Sequence, residues 1–254
     1  MTMSGATPTS FFGWHAFSRL TGFARGIGEA LISALFPPVC ALCGRSTDEL
    51  SILCPVCEAR LPKLEGPRCV RCGEPVEDRG LDICLACGTR EQPVDRALFL
   101  GPYDGAWGDL VRFMKFDREV AIARDLGRRL AERLKASDLD SGFDWVTFVP
   151  MSRKDRRQRR FNQSELLARV VAHRMGVPVR RALVKTMQTP RQGSLGAAER
   201  RLNLRGVFRP VPFSGERVLL VDDIVTTGST VEECAWALRQ GGANSVTILA
   251  VARA

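Results

Sequence analysis

Eight of the nine cysteines form four C-x-x-C pairs in one stretch of the chain, a pattern that indicates metal binding. Two thiolates two residues apart can hold one tetrahedral Zn²⁺, and a second pair one hairpin away completes the four ligands. Pairing of sequence neighbours needs only hairpin-length loops and is therefore favoured, although an interleaved arrangement stays open. The predicted zinc ligands are Cys40, Cys43, Cys54, Cys57, Cys69, Cys72, Cys84 and Cys87.

Eight thiolates suit two zinc ions, and the residue types favour a structural role for both. Four thiolates around one zinc leave no open position for a substrate or a water. The cysteine segment also has too few apolar residues to form a core of its own, so the metal would fold it. A redox role for the pairs is the minor alternative.

A second pattern with chemical meaning follows the apolar run 217–221, which predicts a buried strand. The strand leads into Asp222 and Asp223, then into small hydroxyl residues and a glycine, before a helical pattern begins. Such a loop lets backbone N–H groups surround a phosphate at a helix N-terminus. The carboxylates would instead accept hydrogen bonds from sugar hydroxyls or reach Mg²⁺ through water. The predicted loop consists of Thr226, Thr227, Gly228, Ser229 and Thr230.

Alternating strand and helix patterns must position these residues. Apolar strand patterns separated by helices predict a parallel sheet buried on both faces. A further amphipathic helix is predicted over residues 17–35, packed on the rest of the protein or on a partner; a membrane-surface helix is the weaker alternative. The predicted strands cover residues 97–101, 145–149, 217–221 and 245–251, and the other predicted helices cover residues 118–135, 164–175 and 230–240.

The composition is that of a globular protein with anionic partners. The chain has 254 residues and a formal charge of +9, and residues 151–210 alone carry a balance of +13. This basic stretch favours contact with a nucleic-acid backbone, with a solvated surface as the alternative. No apolar run reaches the roughly 18–20 residues of a membrane-spanning helix, and the first residues lack the continuous run of about 7–15 apolar residues that is typical of a secretory signal. We therefore expect a cytoplasmic protein.

The block 222–230 resembles the phosphoribosyl pyrophosphate (PRPP) motif of type I phosphoribosyltransferases. The resemblance implies that Asp222 and Asp223 hold the ribose 2- and 3-hydroxyls and that the loop holds the 5-phosphate, with Mg²⁺ bound alongside PRPP. Members that salvage hypoxanthine or guanine commonly carry Asp at the position of Thr226. The threonine therefore argues against that substrate class.

The same resemblance assigns pyrophosphate ligands outside the motif. Arg153 follows the strand after which this fold places its pyrophosphate loop. Residues 186–198, rich in glycine and small residues, are similar to the flexible hood that closes over PRPP. Lys185 and Gln192 are then available to reach the pyrophosphate and to exclude water.

The order of motifs along nearly the whole chain is similar to that of the ComF family of competence-associated proteins. This family usually carries Gly at the position of Arg160. The motifs are the C-x-x-C pairs, Tyr103, the Lys115 region, residues 149–150, residues 160–163 with 165–168, Gln192 with Leu195, Arg200 with Asn203, Phe208 and the PRPP loop.

The resemblance implies a Rossmann-like type I phosphoribosyltransferase fold, a parallel sheet flanked by helices. We predict a helix region at 1–36, a double zinc ribbon at 37–93 and the phosphoribosyltransferase-like domain at 94–254. The implied process is DNA uptake in natural transformation, with PRPP, single-stranded DNA and other competence or DNA-processing proteins as partners. If the protein is catalytic, Asp222, Asp223 and Arg153 are its catalytic residues. The alternatives are a non-catalytic nucleic-acid-binding adaptor and, less favoured, a nucleobase salvage enzyme.

Overall fold

The computed structural model describes residues 38–47, 51–77, 80–116, 120–139, 142–152, 161–186 and 206–254. The chain divides into two compact units, one ending at Cys54 and the other running from Pro55 to Ala254. The predicted helix at 1–36, the basic run that contains Arg153 and the hood segment that contains Gln192 lie outside the described residues. No described helix combines the length and the apolar character that a membrane crossing needs.

The second unit is built on a four-stranded sheet in which every neighbouring pair of strands is parallel. The two central strands are buried over nearly their whole length, as the apolar sequence runs indicate. The predicted parallel sheet is therefore confirmed. In spatial order the strands are β1 (Arg96–Pro102), β6 (Ser245–Arg253), β5 (Arg217–Val225) and β2 (Trp145–Phe148).

Helices cover both faces of this sheet. Val218 and Leu220 of β5 belong to a buried cluster with residues of the last helix, α6 (Ser229–Gln240). Side chains alternate along a strand, so the equally buried Leu219 lies on the opposite face, where α5 (Gln163–Met175) contacts β5. The remaining helices are α1 (Pro55–Ala59), α2 (Leu85–Gly88), α3 (Ala106–Phe116) and α4 (Val120–Lys135).

Strand β5 continues four residues beyond the run 217–221 that the sequence predicts. Asp222 pairs with Ala250 and Ile224 with Ala252, so the hydrogen-bonded ladder with β6 extends through the acidic pair. The two aspartates therefore lie within the strand rather than after it. Consecutive strand residues point to opposite sides, which gives the two carboxylates different neighbours.

A short antiparallel pair of strands, β3 (Leu183–Lys185) and β4 (Phe208–Pro210), lies apart from the main sheet. The sequence predicts neither strand, because three residues are too few to show a strand period. Leu183 and Phe208 join the buried cluster beneath α6. The pair therefore packs on the helix that follows the predicted phosphate loop.

The third C-x-x-C pair lies in a turn that packs directly on the sheet. The amide of Ala97 in β1 donates to the carbonyl of Val70 at 2.7 Å. Gly73 has a φ of +76° and sits on the ring of Phe99, where a Cβ would come within 2.4 Å of a ring carbon. Only glycine combines this backbone angle with so close an approach. This ribbon is thus part of the second unit.

In the first unit, the turn that holds the first C-x-x-C pair has a defined hydrogen-bond pattern. The amide of Cys40 donates to the carbonyl of Arg45 at 2.7 Å, and the amide of Gly44 donates to the carbonyl of Cys40 at 2.8 Å. The turn of the third pair makes the same two bonds at its equivalent positions. The two ribbons therefore repeat one local structure.

Candidate functional site

The eight predicted zinc ligands form two groups, and the sulfur atoms within each group lie within 4.8 Å of one another. Pairing of sequence neighbours is confirmed, and the interleaved arrangement is excluded. The groups are Cys40, Cys43, Cys54 and Cys57, and Cys69, Cys72, Cys84 and Cys87.

The sulfur geometry of each group fits zinc. A tetrahedral site with Zn–S bonds of about 2.3 Å has sulfur atoms about 3.8 Å apart. The Sγ atoms of Cys43 and Cys54 are 3.7 Å apart, and those of Cys72 and Cys84 are also 3.7 Å apart. Four thiol donors within 4.8 Å of one another support the structural role that the sequence predicts.

Burial and backbone amides shift the pKa values of thiols in both groups. Burial raises the pKa of Cys87 to about 12 and that of Cys72 above its ordinary range. Burial acts the same way on Cys40 and Cys69, but hydrogen bonds from nearby backbone N–H groups lower their pKa values to about 6 and about 7. One thiolate of each group is thus stabilised by the backbone, and a bound cation would stabilise the others.

The carboxyl ends of the parallel strands bring the other predicted site residues together. The acidic pair of β5 leads directly into the loop before α6, and β2 ends beside it, where the Val149 amide donates to the Val221 carbonyl. Ligands of open parallel sheets bind at this edge. The structure therefore places Asp222, Asp223 and residues 226–230 at one location.

Asp222 is buried, with 7% of its surface exposed, and receives two hydrogen bonds on Oδ1. The hydroxyl of Ser164 donates at 2.8 Å and the amide of Asp223 at 2.9 Å. Burial, aided by the negative charge of Asp223, raises the pKa of Asp222 to about 7. The nearby charge of Lys115 and the two hydrogen bonds oppose that rise.

Asp223 forms an ion pair that the sequence analysis did not identify. Lys115, in the last turn of α3, places Nζ 2.9 Å from Oδ2 of Asp223, and both side chains are largely buried. A lysine near a helix C-terminus is favoured by the helix dipole. The pair fixes the position of the Asp223 carboxylate at the mouth of the site.

Asn162 holds the start of α5 against β2. Its side-chain oxygen accepts from the Ser164 amide at 3.1 Å, which caps the helix, and its Nδ2 donates to the Val149 carbonyl at 2.9 Å. The cap places the Ser164 hydroxyl on Asp222. Asn162 therefore links helix, strand and acidic pair.

We expect Asn162→Ala to lower the free energy of unfolding by about 2–3 kcal/mol, because the variant loses a helix cap and leaves a buried carbonyl unpaired. Asn162→Asp keeps the cap but loses the donor to Val149. Its free energy of unfolding should therefore lie between that of Asn162→Ala and that of the wild type. Urea denaturation followed by circular dichroism measures both values. Equal stability of the alanine variant and the wild type would contradict this role.

The predicted phosphate loop has the geometry of a helix N-terminus open to a ligand. Gly228 caps α6 with a φ of +78°, a backbone angle that favours glycine. The hydroxyls of Thr227 and Ser229 lie 3.0 Å apart. A recess of about 50 Å³ is lined by the loop and by Asp222. The first N–H groups of α6 have no partner within the helix and can bind an anion.

The remaining predicted site residues are placed differently. Lys185 lies in β3 with Nζ 5.9 Å from the centre of the Phe208 ring, and its charge, like that of Asp222, acts on the Cys234 thiol. Arg153 and Gln192 lie outside the described residues.

Sequence reasoning missed three residues that hold the site: Lys115, Ser164 and Arg253. Lys115 belongs to a motif already noted without a role, and Ser164 follows the Asn162 cap. Arg253, the last residue of β6, donates to the carbonyls of Val225 and Thr226. No spacing rule joins these residues to the loop, because the contacts depend on the strand order.

Family models match two parts of the chain: residues 31–92 match a double zinc ribbon domain, and residues 163–254 match a phosphoribosyl transferase domain. A solved structure, of the allosteric regulatory enzyme of purine biosynthesis, is 27% identical, with a TM-score of 0.36. That alignment covers 50% of this chain and only 25% of the enzyme.

Curated relatives match over most of their length. The DNA utilization protein YhgH of Salmonella typhimurium is 33% identical over 224 residues, 85% of this chain and 97% of the relative. Competence protein F of Haemophilus influenzae is 29% identical over 213 residues, 80% of this chain and 90% of the relative. With its zinc ribbons and its phosphoribosyltransferase fold, the chain belongs to the ComF family.

Proposed function

We propose that this protein binds PRPP together with Mg²⁺ at the carboxyl edge of the sheet and transfers the phosphoribosyl group to an acceptor. The observation that carries the proposal is the junction of β5 and α6. Two carboxylates at a strand end lie beside a glycine-capped helix N-terminus, which suits a sugar next to a phosphate. The carboxylates would accept the ribose hydroxyls, and the loop amides would bind the 5-phosphate.

The side chains around the acidic pair suit this role. Lys115 holds the Asp223 carboxylate in place through an ion pair, and Ser164 orients Asp222 through Oδ1. Asp222 and Asp223 are the residues that would hold Mg²⁺ beside the ligand. When bound, Mg²⁺ would neutralise charge on the pyrophosphate group.

The reaction proposed is displacement at ribose C1. A bond forms between C1 and a nucleophile, while the bond from C1 to the pyrophosphate oxygen breaks and the pyrophosphate leaves with the electron pair. The positive charge that develops on the sugar is favoured near the carboxylates of Asp222 and Asp223. Lys185 and, from the resemblance, Arg153 and Gln192 would stabilise the leaving group.

DNA is the partner that the relatives and the charge both favour. Two relatives are named for DNA utilization and for competence. Residues 151–210 concentrate positive charge, which suits contact with phosphates of a nucleic-acid backbone. We therefore propose that the protein acts on or beside single-stranded DNA during DNA uptake, in the cytoplasm and with other DNA-processing proteins.

Calorimetric titration of PRPP with Mg²⁺ tests the proposed site. We expect saturable binding to the wild type and about 100-fold weaker binding to Asp223→Asn, because each hydrogen bond to an ionised group contributes roughly 1.5–3 kcal/mol. Asp138→Asn is the matched control, since that side chain is 71% exposed and pairs only with Arg96 at 3.5 Å among the described residues. The control should bind like the wild type.

Pyrophosphate release in the same samples, with and without single-stranded DNA, separates the candidate functions. Release that depends on DNA supports phosphoribosyl transfer linked to DNA. PRPP binding and salt-sensitive DNA binding without release would support a non-catalytic adaptor instead. Absence of PRPP binding by the folded, zinc-loaded wild type would refute the proposed site.

A further inference from the structure

Arg253 joins the phosphate loop to the second zinc ribbon. It ends β6 and is buried, with 7% of its surface exposed. Toward the loop, its Nη1 donates to the carbonyl of Val225 at 3.2 Å and to that of Thr226. Toward the ribbon, its Nε donates to the Cys72 carbonyl at 3.0 Å and its Nη2 pairs with the Glu74 carboxylate. One guanidinium therefore contacts both parts.

The ribbon side of this contact is set by the metal-binding turn. Cys72 is one of the four thiols of its group, and Glu74 lies two residues beyond it. The turn closes where the Cys69 amide donates to the Glu74 carbonyl at 2.8 Å and the Gly73 amide donates to the Cys69 carbonyl at 2.8 Å. The acceptors of Arg253 thus lie in a segment whose conformation zinc would fix.

The loop side of the contact sets the direction of two N–H groups. A peptide unit is planar and trans, so a carbonyl and the N–H of the next residue point in opposite directions. Arg253 draws the carbonyls of Val225 and Thr226 toward the ribbon. The N–H groups of Thr226 and Thr227 must then point away from Arg253, as phosphate binding by the loop requires.

The ribbon and the loop line a common cleft beside Arg253. A cleft of about 290 Å³ lies between them, and its lining includes Cys72, Glu74, Thr227, Gly228 and Arg253. The hydrogen bonds of Arg253 cross this cleft to the loop, while Arg90, which also lines it, pairs with Glu232 in the first turn of α6 at 2.9 Å. A disturbance of the ribbon would therefore reach the carbonyls of Val225 and Thr226 through Arg253.

We propose that Arg253 is a positioning residue that orients the phosphate-binding N–H groups and makes their orientation depend on the second four-cysteine group. The orientation of the loop N–H groups is inferred from the hydrogen bonds of Arg253 alone. That these N–H groups bind PRPP rests on the proposed function. The second zinc site would then serve the ligand site as well as the stability of the ribbon.

The test compares Arg253→Lys with the wild type by two readouts. Lysine keeps the charge but lacks the planar fork that reaches several acceptors at once. We expect about tenfold weaker PRPP binding by calorimetry. We also expect shifted ¹⁵N-amide NMR signals for Thr226, Thr227 and Gly228 without any ligand. Zinc content should stay at two equivalents, which would exclude a collapse of the ribbons.

Arg239→Lys is the matched control. Arg239 also joins a carbonyl, that of Pro93 at 3.2 Å, to a carboxylate, that of Asp95 at 2.6 Å, but it lies at the far end of α6. Its replacement should leave the loop signals and PRPP affinity unchanged. An equal change in both variants would show general destabilisation and contradict the proposal.

Glu74→Gln tests the ribbon side and keeps the proposal falsifiable if Arg253→Lys fails to fold, because the Glu74 side chain is 51% exposed. It should shift the same loop signals, and the double variant should lose no more affinity than Arg253→Lys alone. Unchanged loop signals in both single variants would overturn the proposal. If the wild type does not bind PRPP, the proposed function fails, and the loop signals still decide the role of Arg253.

Discussion

Asp222→Asn is expected to stabilise the protein above pH 7 while lowering its affinity for PRPP by at least about 100-fold. Burial raises the pKa of Asp222 to about 7, from an ordinary value of 3.8. The folded state therefore holds a proton that the unfolded state has released between those pH values. The stability that this proton provides is complete below pH 4 and is lost as the pH rises to about 7.

The asparagine carries no charge, so the variant avoids this loss. The two pKa values of Asp222 differ by about three units, which corresponds to as much as about 4 kcal/mol in the free energy of unfolding. The melting temperature of the variant should therefore be higher by roughly 5–15 °C. Thermal unfolding at pH 5 and pH 8 measures it, and the stability gain should be small at pH 5 and large at pH 8. A gain of equal size at both values would mean that Asp222 has an ordinary pKa.

The affinity of the wild type for PRPP should rise with pH, whereas the stability that the proton on Asp222 provides is lost as the pH rises. If ribose hydroxyls donate to the Asp222 carboxylate, affinity increases up to about pH 7 and then levels off. Asp138→Asn, with its exposed side chain, should show the wild-type profile. The ionised form of Asp222, which the ribose hydroxyls would need, therefore lowers the stability of the protein. Such a cost is common among functional residues.

Cys84→Ser should reduce bound zinc from two equivalents to one and unfold the second ribbon. The other three thiols of its group would keep an incomplete ligand set, and structural zinc contributes on the order of 10 kcal/mol to the folding of such a segment. Zinc released by a thiol-modifying reagent and measured with a colorimetric chelator gives the stoichiometry. The first group should keep its metal, since its four thiols do not include Cys84.

Trypsin gives an independent readout of the same variant. Arg68 and Arg71 donate to the carbonyls of Gly73 and Cys87 within the folded ribbon. Cleavage after these arginines should become rapid once the ribbon unfolds. Cys234→Ala is the control, because Cys234 is fully buried and belongs to neither group. Loss of both zinc ions in Cys84→Ser would contradict independent sites.

The parts of the site that the sequence predicts are those set by local spacing. Two thiols in a C-x-x-C pair are brought together by one turn, and the loop from Thr226 to Thr230 follows its strand directly. The bounds of β1, β2, β6 and α6 lie within two residues of the predicted ones. Short-range pattern carries that information because helix and strand periods are local.

The contacts that the sequence did not predict all join distant segments. Lys115 meets Asp223 across more than one hundred residues, and Ser164 meets Asp222 across 58. Such pairs follow from which strands are neighbours, and neither partner shows this in its own surroundings. The end of β5 was misplaced for a related reason: aspartate is unfavourable in strands, and pairing with β6 outweighs that preference.

The position of β6 between β1 and β5 has a consequence for biosynthesis. Arg96 of β1 pairs with Thr247 of β6, which leaves the ribosome about 150 residues later, or roughly 10–30 s at usual rates of synthesis. The second ribbon can fold during this interval, since its four ligands lie between residues 69 and 87. Until β6 is in place, β1 has no sheet partner among the described strands. A nascent chain can therefore form its second four-cysteine ribbon well before the strands that carry the candidate ligand site are all in place.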